Sequence, residues 1–287
     1  MKRVQQVRRG SPPHWVGDGF PVRTFFAYDE PAPFTPFLLL DYGGPAQFEP
    51  AEKPRGVGPH PHRGFETVTI VYQGEVEHRD SAGHGGRIGP GDVQWMTAAS
   101  GIVHSEMHGD AFTRTGGMLE MVQLWVNLPA RAKMGKPGYQ DLTAAAIPTV
   151  ALANGAGSVR VIAGSCLGAR GRARTHTPIE LWDVTLRGEQ AAEFALPAGH
   201  TAMLLVQRGA LRVGDERVAQ HELALLTRDG DRVALRADGA DARVLLLAGA
   251  PIDEPVAAYG PFVMNTEAEL RQAFADYHAG RMGSLTE

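Results

Sequence analysis

The chain has 287 residues, of which 43% are apolar, 35 are glycine and 20 are proline. That apolar share builds real cores and excludes a disordered or fibrous chain, while the glycine and proline content suits a turn-rich β protein better than a helical bundle. With 28 Lys and Arg against 32 Asp and Glu, the net charge of −4 lacks the field that steers non-specific nucleic-acid or acidic-membrane binding. The single Cys166 excludes an internal disulfide and a thiolate metal cage and fits a reducing compartment. The basic start, Met1 to Arg9, leads into no apolar leader core, and no run approaches the ~18 apolar residues of a membrane span. These features point to a cytoplasmic protein without membrane or direct nucleic-acid partners.

In chain order, short alternating apolar runs bounded by Gly, Pro, Asp or Asn fall at 67–73, 93–97, 102–107, 118–128, 159–164, 179–187, 201–207 and 243–248. Regular short strands with turn residues between them predict a sandwich or barrel. The rhythm breaks around 129–157, where Pro129, Gly135, Pro137, Gly138, Pro148 and Gly155 cluster, so a domain boundary is expected there. The two flanking halves share β texture but no motif. A single helix is predicted near the end: Thr266-Glu267-Ala268-Glu269 matches a capping box, Leu270, Ala273, Phe274 and Tyr277 follow at helical spacing, and Gly280 sits where a C′ residue belongs.

Histidine carries the chemistry. Six of the eleven fall at positions 60, 62, 78, 84, 104 and 108. His60-Pro61-His62 sets two imidazoles at i and i+2, on one face of an extended segment. Continuing that parity puts Gly64, Glu66, Val68 and Ile70 on the same, apolar face, so both histidines are expected to point inward. Ile102, His104 and Glu106 share a face in the same way. Joining the segments in a barrel brings three neutral imidazoles and one carboxylate together, a donor set that suits a divalent transition metal. Four protein ligands leave two positions open on a six-coordinate iron(II). The same donors admit manganese, cobalt, nickel, copper or zinc. Glu66 competes for the carboxylate role, but in a straight strand it lies about 13 Å beyond His62 at ~3.3 Å per residue. Glu106, two residues from His104, needs no such reach. His108 is expected just outside the ligands, and His78 and His84 in a solvated loop beside the turn at 80–83.

These residues resemble a known pattern. The stretch His60-Pro61-His62-Arg63-Gly64-Phe65-Glu66-Thr67-Val68 is similar to the first metal motif of the pirin family, within the cupin superfamily. Pro90 to Ala98 and Gly101 to Met107 resemble its second motif. Gln123 to Pro129 and Gly260 to Thr266 match further segments. The resemblance implies an all-β bicupin: two stacked double-stranded β-helix (jelly-roll-like) barrels with a short C-terminal helix. The expected domains are 1–140, holding one metal, usually iron, and 141–287, without a metal site. Carried over residue by residue, the metal ligands are His60, His62, His104 and Glu106. Two positions depart from the wider cupin pattern, Ala99 in place of a frequent Pro and His108 in place of a frequent Asn. The second half has His176, His200 and His221 far apart and no HxH pair.

The resemblance also implies two functions. Some pirin-like proteins are similar in activity to quercetin 2,3-dioxygenases, which open the heterocycle of a flavonol such as quercetin with O2 and release carbon monoxide. In that reading Glu106 is also the catalytic base for the flavonol 3-hydroxyl. Others act as metal-bearing regulators whose oxidation state alters a surface that binds a protein partner. Cys166 is expected to be a small buried hydrophobe in either case.

Overall fold

The computed structural model describes residues 1–188 and 190–285. The predicted strands form with small shifts at their ends: Val93–Thr97 as expected, and Ile102–His108, Gly117–Asn127, Ile179–Leu186 and Thr201–Arg208 within a residue or two. The chain makes two compact units. Each combines an antiparallel sheet of seven strands with one of four, so the protein is an all-β, two-domain cupin-type fold.

The units are not the simple halves 1–140 and 141–287. One comprises Met1–Ser11, Pro33–Pro36 and Ala145–Pro251; the other comprises Pro12–Ala32, Phe37–Ala144 and the chain from Ile252 onward. The sequence break near residue 144 is where the chain passes between units, but both ends change over. The reason is pairing. Val4–Arg9 adds antiparallel to Glu222–Leu226 as the outermost strand of the first unit's large sheet, which satisfies backbone groups that would otherwise be an exposed edge. Lys2 supports it by donating to the carbonyls of Thr227 and Arg228 at 3.3 and 3.1 Å. The interior of this unit is apolar, filled by Trp182, Phe194, Leu204, Leu211, Val233 and Leu246. Cys166 lies in that cluster, 6% exposed, and burial pushes its thiol up to about 11, as expected of an inert hydrophobe.

In the second unit the large sheet runs Gly138–Leu142, Val93–Thr97, Phe65–Gln73, Gly117–Asn127, Phe37–Phe48, Phe20–Phe26 and His14–Val16. The small sheet runs Gly56–His62, Ile102–His108, Val76–Asp80 and Gly85–Ile88. Phe20, Val22, Phe48, Val71 and Met121 of the first meet Val76 and Ile88 of the second in an apolar cluster. Each fully buried side chain of this size contributes roughly 1.5–3 kcal/mol.

The C-terminal helix, Glu267–His278, forms as the capping box predicts: Thr266 Oγ1 accepts from the Glu269 amide at 3.2 Å, and the Glu269 carboxylate accepts from the Thr266 amide at 2.9 Å. Gly280 follows it with φ of 71°. Leu270 and Ala273 bury against Val103, Phe262 and Met282. This segment also secures the turn between the two sheets. Gly64 has φ of 90°, and a Cβ there would collide with the carbonyl of Val263. Arg63 donates to the Ser100 carbonyl and to Asp276 of the helix, both at 2.7 Å, and Lys133 donates to the carbonyls of Gly64 and Val263 at 2.7 and 2.9 Å. The Arg63 guanidinium, with Gln272 and Arg281, holds the Asp276 carboxyl well below the usual carboxylate range.

We expect Gly64→Ala to cost on the order of 2–3 kcal/mol, from a disfavoured φ plus a backbone collision. Thermal unfolding checks this; a melting temperature within a degree of wild type contradicts it.

Candidate metal centre

The small sheet of the second unit brings the histidines together by register. In the central strand, Ile102–His108, His104 stands opposite His60 on one side and Asp80 on the other. The pairing with Gly56–His62 shifts between His104 and Glu106, a bulge of the kind that re-aims side chains beside functional sites. His60, His62 and His104 then offer ring nitrogens that all lie within 4.8 Å of one another. Their ring centroids are 4.8 Å apart for His60 and His62, 4.2 Å for His60 and His104, and 4.9 Å for His62 and His104.

Hydrogen bonds fix which nitrogens converge. His60 Nδ1 lies 2.9 Å from the Gly58 carbonyl and His62 Nδ1 lies 3.4 Å from the Pro261 carbonyl. A carbonyl only accepts, so each Nδ1 carries the proton and each Nε2 holds a lone pair. His104 Nδ1 lies 3.3 Å from His78 Nδ1, and His104 Nε2 is buried with no partner. Burial, together with the neighbouring imidazoles, pushes His62 and His104 well below the ordinary histidine range, so both are neutral and ready to ligate. A buried polar atom without a partner is costly, and a cation among the three rings would satisfy His104 Nε2. The residues present therefore fit a divalent metal.

Glu106 shares the face of His104 but lies outside the three-histidine group. Its Oε1 accepts from the Thr69 hydroxyl at 3.0 Å, and the Gln123 amide lies 3.3 Å from Oε2. It walls a cavity of about 40 Å³ with Phe20, Val22, Asp41, Met121 and Gln123.

Several neighbours differ from expectation. Parity does not carry through Gly64, because the chain leaves one sheet for the other there. The face of Phe65–Gln73 that meets the site is the odd one: Phe65 packs on His62 with centroids 5.0 Å apart, and Thr69 reaches Glu106. Glu66 is on the opposite face, accepting from Thr97 Oγ1 at 2.7 Å. His108 is no neighbour of the ligands; its Nε2 donates to the Gly19 carbonyl at 2.9 Å amid Phe48 and Phe112. His78 is fully buried rather than solvated, whereas His84 is exposed. The signal for His78 was in the sequence, since Val76, His78 and Asp80 alternate on one face. Ala99 has φ of 43°, which proline cannot adopt, and this explains the departure noted there.

Comparisons with known proteins bear on the family. Residues 19–126 match the family model described as Pirin, and residues 181–283 match that described as Pirin C-terminal cupin domain. The chain belongs to the pirin family. It is 56% identical over 282 residues, 98% of each chain, to the Pseudomonas aeruginosa protein named "Putative quercetin 2,3-dioxygenase PA2418". It is 41% identical over 285 residues, 98% of this chain and 99% of the other, to a "Pirin-like protein" of Caulobacter vibrioides. The crystal structure of a quercetin 2,3-dioxygenase from Acinetobacter baumannii superposes with a TM-score of 0.96 at 47% identity, covering all of both chains. Among the described residues, no helix of this pirin is long and apolar enough to cross a membrane.

Burial raises the Glu66 carboxyl from 4.5 to about 7, and its bond from Thr97 only partly opposes this. The folded state thus holds a proton that the unfolded chain releases between these pH values. Stability from this group is full below about pH 4.5 and lost as pH rises through about 7. We expect Glu66→Gln to flatten the pH dependence of melting over that range and to stabilise the protein at pH 8 by on the order of 2–3 kcal/mol. Metal content is expected to be unchanged. An unaltered pH profile, or lost metal, contradicts the assignment.

Proposed function

We propose that this pirin is a divalent-metal dioxygenase of the quercetin 2,3-dioxygenase type, with iron(II) as the first candidate metal. The observation that carries the reading is the grouping of three imidazoles, with ring nitrogens within 4.8 Å of one another, on a strand pair that also carries Glu106, a carboxylate walling a cavity. His60, His62 and His104 would hold the ion, with Glu106 as fourth ligand and base. Bound there, the metal supplies Lewis acidity toward an enolate oxygen and an electron couple for dioxygen chemistry.

The chain's own residues prepare the rest. Glu106 accepts the proton of the flavonol 3-hydroxyl at a carboxylate oxygen. Its two hydrogen-bond donors, Thr69 and Gln123, are neutral, so they orient the carboxylate without neutralising it. Phe20, Val22 and Met121 give an apolar wall suited to a flat aromatic ring and exclude water from the reacting centre. The cavity of about 40 Å³ is near the size of a water, ~30 Å³, and far below the ~300 Å³ of typical ligand pockets. A ring system therefore enters by displacing a wall. The segment His14–Val16 qualifies: it is an exposed outermost strand paired on one side only, and Val16 lines the cavity.

The test is oxygen uptake by iron(II)-reconstituted protein with quercetin, followed beside the fall in flavonol absorbance. Uptake should match flavonol loss and disappear in His62→Ala. Glu106→Gln should slow turnover at least ~100-fold, the range for a positioned base. Full turnover in Glu106→Gln, or no uptake by metal-loaded wild type, overturns the proposal.

A further inference from the structure

We propose that Asp80 and His78 form a relay that fixes His104 as an Nε2 metal ligand. The inference rests on the reading of His60, His62 and His104 as the metal-holding group, and it assigns positioning roles to two further residues.

The strand Val76–Asp80 pairs with Ile102–His108 so that Asp80 stands opposite His104 and His78 opposite Glu106. His78 is fully buried and Asp80 is 4% exposed. His78 Nε2 lies 3.4 Å from Asp80 Oδ2, and His78 Nδ1 lies 3.3 Å from His104 Nδ1. The direction of each bond follows from the one before it. A carboxylate accepts, so the Nε2 of His78 carries the proton. In a neutral imidazole the other nitrogen, Nδ1, then holds a lone pair. Two facing ring nitrogens bond only when one donates, so His104 Nδ1 is the donor. The lone pair of His104 is thereby placed on Nε2, the buried atom with no partner. The chain of bonds runs from Asp80 inward and ends at the site.

This differs from the support given to the other two histidines, whose Nδ1 atoms each meet a backbone carbonyl. Only the His104 support, among these three, consists of side chains and ends on a charge. A carboxylate behind a ligating histidine fixes its tautomer and raises its basicity. The relay is itself anchored. Asp80 Oδ1 accepts from the amides of Ala82 and His84 at 2.9 and 3.0 Å, which forms the turn at the strand's end. Tyr139 stacks on His78 with centroids 5.1 Å apart and planes 19° from parallel, holding the ring's orientation. His84 also touches Asp80 Oδ2, at 3.2 Å, but lies outside the path to His104.

The experiment measures zinc and cobalt(II) affinity of the full chain in wild type, His78→Phe, Asp80→Asn and His84→Ala. His78→Phe keeps the ring against Tyr139 and removes the acceptor for His104. Asp80→Asn keeps Oδ1 for the two turn amides. We expect His78→Phe to weaken metal binding by tenfold or more, Asp80→Asn to fall between it and wild type, and His84→Ala to stay within about twofold. Long-range proton–nitrogen correlation spectra of the zinc-loaded wild type should show His104 protonated at Nδ1 and His78 at Nε2. The absorption bands of cobalt(II) should shift in the two relay variants. Melting of the metal-free proteins separates positioning from unfolding; should His78→Phe melt several degrees low, the comparison rests on Asp80→Asn. Affinities within twofold of wild type in both relay variants, or the opposite tautomers, overturn the relay while leaving the metal site standing. A wild type that binds no metal removes the site and the relay together.

Discussion

Three imidazoles, those of His60, His62 and His104, are held with ring nitrogens within 4.8 Å of one another, and the reading of the site depends on that crowding. Lone pairs converging within 4.8 Å repel unless something positive stands between them. Protonation would answer the repulsion in water, but burial of His62 and His104 disfavours the charged form. A bound divalent cation answers it at lower cost, because its charge is shared among three donors at once. The hydrogen bonds from Nδ1 of His60 and His62 to backbone carbonyls have the same logic: each removes the choice of tautomer and leaves Nε2 as the acceptor.

Holding these rings requires a stiff sheet, and the stiffness comes from far along the chain. The turn after His62 depends on Gly64, on Lys133 and on the C-terminal segment, which supplies the Pro261 carbonyl to His62 and Asp276 to Arg63. Residues more than 190 positions apart thus act on one turn. In the first unit Trp182, Phe194 and other apolar side chains fill the interior, and their close packing contributes stability.

Much of the site was legible because strand parity holds within one strand. His60 with His62, and His104 with Glu106, needed only the two-residue period. Parity failed where the chain changed sheets at Gly64, which put Glu66 on the far face and Thr69 on the near one. His78 was obscured by the turn at Asp80-Ser81-Ala82-Gly83, although the alternation Val76, His78, Asp80 pointed inward. His108 continued the face of His104 but passed beyond the polar part of the interior into a cluster of phenylalanines. The capping box at Thr266 is local and was read directly. The pairing of Val4–Arg9 with Glu222–Leu226 joins segments more than 200 residues apart, and no local pattern carries it.

X-ray absorption at the iron edge of the reconstituted protein tests the central claim most directly. Outer-shell scattering from ordered imidazole rings counts the histidines around the metal. Three imidazoles in wild type, falling to two in His104→Ala, is the predicted result. One imidazole or none in wild type, or a spectrum unchanged by His104→Ala, would contradict the account.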